Sequence, residues 1–180
     1  LVDENYMDFI DSKQRYTVST YVNEYDNLLV VGSFSKFFGM PGVRIGYGIG
    51  NPKLIRLIED YLIPWNVNAL SIVAAKAALE DKEFIEKTKR QIRLEREKLV
   101  EMLKQIKELK VFPSATNFLL LKILHGKINA NQLQKKLAEE NILIRNCEDF
   151  HGLNDKFFRI SVRTTEENRM LVEALQRAFQ

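Results

Sequence analysis

The sequence predicts an α/β protein that ends in a smaller α+β domain. Three observations carry that expectation. The run 28–31, Leu-Leu-Val-Val, is short and continuously apolar, as in a strand of a parallel sheet covered by helices on both faces. Helical periodicity follows it, with a long amphipathic stretch over 82–109. Beyond residue 118 the order reads β-α-β-β-α. A chain of 180 residues can bury a sizeable core in one or two domains. The expected division is a first domain over 1–81, a linking helix over 82–109 and a small domain over 110–180.

Each element has a local reason. Leu1 and Val2 read as the end of a buried strand, which suggests a piece of a longer chain. Residues 44–50 alternate, with Ile45, Tyr47 and Ile49 on one face and Arg44, Gly46, Gly48 and Gly50 on the other. A strand face without side chains invites close approach of a helix or ligand. Asn51 and Pro52 open a helix with Leu54, Ile55, Ile58 and Leu62 on one stripe, and Pro64 ends it. The alanine-rich segment 69–79 reads as a buried helix. Ile85, Ile92, Leu99 and Ile106 recur at heptad intervals, but the other seam position holds Thr88 and Glu95, so the stretch lies across a domain and is not a free coiled coil. Then come strand 118–123, helix 131–140, strand 142–145, strand 157–163 and a last helix announced by Thr164-Thr165-Glu166-Glu167, the capping-box spacing.

Composition narrows the function classes. The chain is 46% hydrophobic and 28% charged, with no apolar run approaching the ~18 residues a bilayer span needs. The net charge of +3 comes from interleaved Lys, Arg, Asp and Glu, too mild for a nucleic-acid footprint. No membrane or nucleic-acid partner is expected. The single cysteine, Cys147, excludes an internal disulfide and fits a reducing, cytoplasmic compartment. No secretory signal is visible. His125 and His151 lack paired metal-site spacing, so no metal is expected. Cys147 reads as a small apolar filler. Gly46-x-Gly48-x-Gly50 lies within a strand and does not open a helix, so it is no dinucleotide fingerprint.

The chemistry centres on Lys36. Taken alone it reads as a solvated surface lysine. It follows a buried strand, at the sheet edge where open α/β folds place ligands. Ser33 and Ser35 offer hydroxyls, Gly39 and Gly42 let the backbone turn closely, and Arg44 offers a forked cation for phosphate. Asp3 ends a neighbouring strand, with Tyr6 just beyond. Amine, carboxylate and phenol make up the set that a pyridine-ring cofactor requires.

Asp3-x-x-Tyr6, Ser33-x-Ser35-Lys36 and Arg44-x-Gly46 together resemble the pyridoxal-phosphate enzymes of the class I/II aminotransferase group, fold type I. The resemblance implies the later part of a fold type I large domain followed by its small domain. By it, Lys36 binds the cofactor aldehyde, Asp3 the pyridinium nitrogen and Tyr6 the ring 3-oxygen, and Ser33, Ser35 and Arg44 hold the phosphate. Residues 64–70, 115–119, 144–153 and 157–164 resemble the histidinol-phosphate aminotransferase and threonine-phosphate decarboxylase branch, the last two being closer to the decarboxylases. By the same resemblance Arg159 holds a substrate α-carboxylate and Arg145 a distal phosphate. A surface ion pair is the plain alternative for either arginine.

The substrate implied is a phosphorylated amino acid or amine. Threonine-phosphate decarboxylation stands first, with glutamate-dependent transamination of the histidinol-phosphate type as the alternative. In a different class, the chain is a non-catalytic domain that binds a partner. The resemblance also implies a homodimer in full-length form and little turnover from this part alone.

Overall fold

The computed structural model describes residues 1–125 and 128–179. The chain divides into two compact units, Leu1–Lys89 and Arg90–Gln180.

The first unit holds a three-stranded sheet in the order β1 (Val2–Asp3), β2 (Leu29–Ser33) and β3 (Gly46–Gly50). β1 and β2 are parallel, as expected of the apolar run, with Asp3 beside Val31. β3 runs antiparallel to β2, pairing Ser33 with Gly46 and Leu29 with Gly50. A parallel return needs a crossover, usually a helix. Residues 34–45 contain Gly39, Pro41 and Gly42 and make only a single 3-10 turn, Pro41–Val43, so the chain reverses. The glycine face of β3 is used as expected. A Cβ on Gly46 would lie 2.7 Å from the Gly32 carbonyl oxygen, and one on Gly50 would lie 3.3 Å from Ile55 Cδ1.

Ile55 belongs to α1 (Pro52–Glu59), whose N-cap Asn51 accepts a hydrogen bond from the Lys53 N–H. α2 (Ala69–Glu80) starts at Asn68, which accepts from the Ser71 N–H, while the Ser71 hydroxyl donates to the Val43 carbonyl at 2.6 Å. The expectation of a buried α2 is not met: only Ser71 and Ala75 are buried, and Leu70, Val73 and Leu79 are exposed. Apolar content says that a helix can be covered, and only packing says where its cover is.

α3 (Lys82–Leu103) runs from the first unit into the second. It stops short of residue 109. Ile106 lies in a turn, and Leu109 opens a strand absent from the sequence expectation, β4 (Leu109–Val111). Both residues are still buried. Apolar spacing marked them as core, but pairing with β5 (Phe118–Ile123) decided their backbone form. After α4 (Ala130–Glu139) come β6 (Arg145–Asn146), β7 (Phe157–Ser161) and α5 (Thr165–Phe179). β6 begins where the expected strand 142–145 ended, because Asn141 takes a left-handed turn (φ 60°) and Ile142 N–H still bonds Leu137.

The second sheet is antiparallel throughout, in the order β4-β5-β7-β6. Its inner face, with Leu119, Leu121, Phe158 and Ile160, packs on Leu99 and Leu103 of α3, Leu133 and Leu137 of α4 and Leu175 of α5. Each fully buried side chain of this size contributes about 1.5–3 kcal/mol. The capping box forms as its spacing predicts: Thr164 Oγ1 accepts from the Glu167 N–H, and Glu167 Oε2 accepts from Thr164. The Arg163 guanidinium and these Thr164 bonds lower the Glu167 pKa to about 2. Arg163, expected on the strand face, thus lies beyond the end of β7 and is paired with Glu167.

Candidate active site

In parallel strands the carboxyl ends share one edge, so Asp3 at the end of β1 and Ser33 at the end of β2 lie together. The connection 34–45 leaves and returns at this edge, since Ser33 pairs with Gly46. It carries Ser35, Lys36 and Arg44 there. Lys36 and Arg44 are exposed, and Ser33 and Ser35 half-buried.

The local sequence explains why Lys36 projects. Phe34 and Phe37, on either side of it, are buried at 5% and 3% exposure. Phe37 meets Phe9 edge-on at 5.0 Å, and Phe9 stacks with Tyr6 at 6.3 Å. One aromatic chain therefore ties the Tyr6 ring to the residue after Lys36. The turn closes through Gly39 N–H to the Lys36 carbonyl and Met40 N–H to Phe34, with Gly39 at φ 65°.

Arg44 adopts a left-handed conformation, φ 54° and ψ 53°. A non-glycine residue there costs of order 1–2 kcal/mol and persists only where its surroundings impose it, often at functional sites. Its Nη1 donates to the Pro41 carbonyl at 2.7 Å, which steadies the exposed guanidinium. Asp3 Oδ1 accepts from the Asn5 N–H at 2.8 Å, which fixes the orientation of the carboxylate at the strand end.

Beneath this edge lies a polar layer that the sequence reading missed. Glu4 is 4% exposed, accepting from the Val18 N–H and the Thr17 hydroxyl. Strand alternation is the signal that could have found it, because Asp3 and Glu4 must point to opposite faces. Nearby, burial opposes the charged Lys13 ammonium, but the Asp8 carboxylate at 2.8 Å outweighs it and holds the Lys13 pKa above its ordinary value. Burial likewise pushes the Tyr47 phenol up, with Lys13 pulling the other way.

In the second unit, β6 and β7 place Arg145 directly opposite Arg159. Facing residues in such a pair share one side of the sheet, and like charges there repel. Arg159 sits over the Phe118 ring at 4.9 Å and makes no ion pair among the described residues. Arg145 pairs with Asp149 and lies over Phe150. Cys147 is buried beside them, burial pushing its thiol pKa up while both guanidiniums pull it down. Two forked cations held on a rigid sheet suit a ligand with two anionic groups. Among the described residues no cluster could hold a metal ion, and no helix is long and apolar enough to cross a membrane.

A family profile described as aminotransferase class I and II matches residues 1–175. A protein provisionally named threonine-phosphate decarboxylase, from Caldanaerobacter subterraneus subsp. tengcongensis, is 38% identical over 100% of this chain and 48% of its own length. The histidinol-phosphate aminotransferase of Methanococcus aeolicus is 35% identical over 98% of this chain and 47% of its own. Among solved structures, histidinol-phosphate aminotransferase from Clostridium acetobutylicum matches with a TM-score of 0.91 at 31% identity, covering 98% of this chain and 52% of that one. L-threonine-O-3-phosphate decarboxylase from Porphyromonas gingivalis matches at 0.80 and 32%, covering 97% and 53%. The chain spans about half the length of these relatives.

Proposed function

The chain belongs to the class I and II aminotransferase family, and from that membership we propose that it is part of a pyridoxal-phosphate enzyme that decarboxylates a phosphorylated amino acid of the threonine-phosphate type. The in-register pair Arg145 and Arg159 carries this reading. Their mutual repulsion is relieved by a molecule bearing both a carboxylate and a phosphate, which such a substrate does. Arg159 takes the carboxylate and Arg145 the phosphate.

The residues at the first sheet edge fit the cofactor by their chemistry: a carboxylate for a protonated ring nitrogen, a phenol for a ring oxygen, an amine for an aldehyde, and hydroxyls with a guanidinium for a phosphate. Asp3, Tyr6, Lys36, and Ser33, Ser35 and Arg44 fill these roles in turn. When bound, pyridoxal phosphate supplies an electron-poor ring that accepts the electron pair of the bond broken at the substrate Cα. Asp3 keeps the ring-nitrogen proton in place. Lys36 holds the cofactor before substrate arrives and then delivers a proton to Cα once carbon dioxide has left.

Transamination of the histidinol-phosphate type is the second reading, favoured by the TM-score of 0.91. There Lys36 removes the Cα proton instead, and the same arginines serve glutamate and the phosphorylated amine in turn. Incubating the intact enzyme with O-phosphothreonine separates the two. Carbon dioxide release is expected, with Arg159→Gln raising KM by about 100-fold through loss of a bidentate charged contact. Glutamate-dependent amino transfer without carbon dioxide release would overturn the first reading.

The working enzyme is a homodimer in the cytoplasm, where a buried free thiol such as Cys147 stays reduced. Support for the dimer comes from the first unit's bare apolar residues, with Trp65 at 96% exposure, Leu70 at 82% and Val73 at 64%. Exposed large apolar residues in such number favour an interface. Sedimentation equilibrium of the intact protein should give twice the chain mass, and Leu70→Asp with Val73→Asp should shift it toward monomer. A monomeric wild type would refute the dimer.

A further inference from the structure

A second like-charged pair lies on the same outer sheet face. Lys110 on β4 stands directly opposite Lys122 on β5. Neither makes an ion pair among the described residues. Each ammonium is instead held over a ring: Lys110 at 5.0 Å from the Phe112 centroid, Lys122 at 5.1 Å from that of Phe157. The rings stack on one another at 6.0 Å, so the two cations share one aromatic platform. Facing like charges destabilise a sheet. Cation–π contact anchors each ammonium over its own ring on this face.

We infer that Lys110, Lys122 and the Phe112–Phe157 platform form an anion site for the phosphate group of a soluble small molecule, separate from the Arg145–Arg159 pair. A phosphate dianion matches the two ammoniums in charge and offers oxygens to both. The lysines are compact, strongly hydrated point charges, which suit a phosphate approached from solvent better than a planar carboxylate. This site goes beyond the proposed reaction and needs no cofactor.

The test uses the intact protein with 13C-labelled lysine, titrated with inorganic phosphate and pyrophosphate at ionic strength held constant with chloride. The ε-carbon signals of Lys110 and Lys122 are expected to shift together and saturate with one common Kd. Lys110→Gln and Lys122→Gln each weaken binding about tenfold or more. Lys122→Arg retains it, which separates loss of charge from loss of fold. In Arg145→Gln the lysine signals still saturate. Non-saturating drift of the two signals, or loss of their response in Arg145→Gln, overturns the inference. Neither outcome depends on whether the enzyme decarboxylates or transaminates.

Discussion

Lys36→Ala is expected to abolish covalent attachment of pyridoxal phosphate and to lower turnover of the intact enzyme by at least about 10³-fold, because one amine serves as both nucleophile and proton carrier. Borohydride reduction followed by peptide mapping reads the attachment directly. Wild-type protein should carry the added mass on the peptide containing residue 36, and the variant should carry none. Lys13 is the instructive competitor in the same unit. Its ammonium is bonded to Asp8 and its pKa is held above the ordinary value, so it is a poor nucleophile. Modification mapped to Lys13, or unchanged in Lys36→Ala, would remove the chemical basis of the proposed function.

Phe37→Ala should cost the first unit about 3–5 kcal/mol, the range for emptying a buried aromatic site. Phe37 is 3% exposed and touches three rings edge-on: Phe9 at 5.0 Å, Phe38 at 5.1 Å and Phe84 at 6.4 Å. Losing it leaves a void beneath the lysine loop and cuts the ring chain toward Tyr6. Urea unfolding measures the stability loss, and cofactor attachment at Lys36 should fall with it. Phe38→Ala, at a half-buried ring, should cost less. A loss below about 1 kcal/mol for Phe37→Ala would show that the loop is anchored elsewhere.

Several elements were legible because their causes are local. Asn51 caps α1, and Thr164 and Glu167 close the box before α5, since a side chain two or three residues away satisfies the helix donors. The two-residue period of β7 put Phe158 and Ile160 inward and Arg159 outward, and the structure agrees. Lys36 was singled out by its company of serines and glycines, but nothing in that pattern revealed that Phe34 and Phe37 hold it up. Glu4 was overlooked as one more acid on a charged chain, although it lies buried under the site.

What the sequence by itself determined is the set of chemically able residues, the helix starts, and the two faces of each strand, all governed by contacts within a few positions. Only the tertiary structure decided that β3 returns antiparallel, that Leu109 belongs to a strand, and that Ser71 and Ala75 are the residues of α2 that are buried. It alone set Arg145 against Arg159, and Lys110 against Lys122. Those outcomes depend on strand register and on which surfaces meet. Register comes from hydrogen bonds and burial summed over residues far apart in the chain, and no short stretch contains that sum.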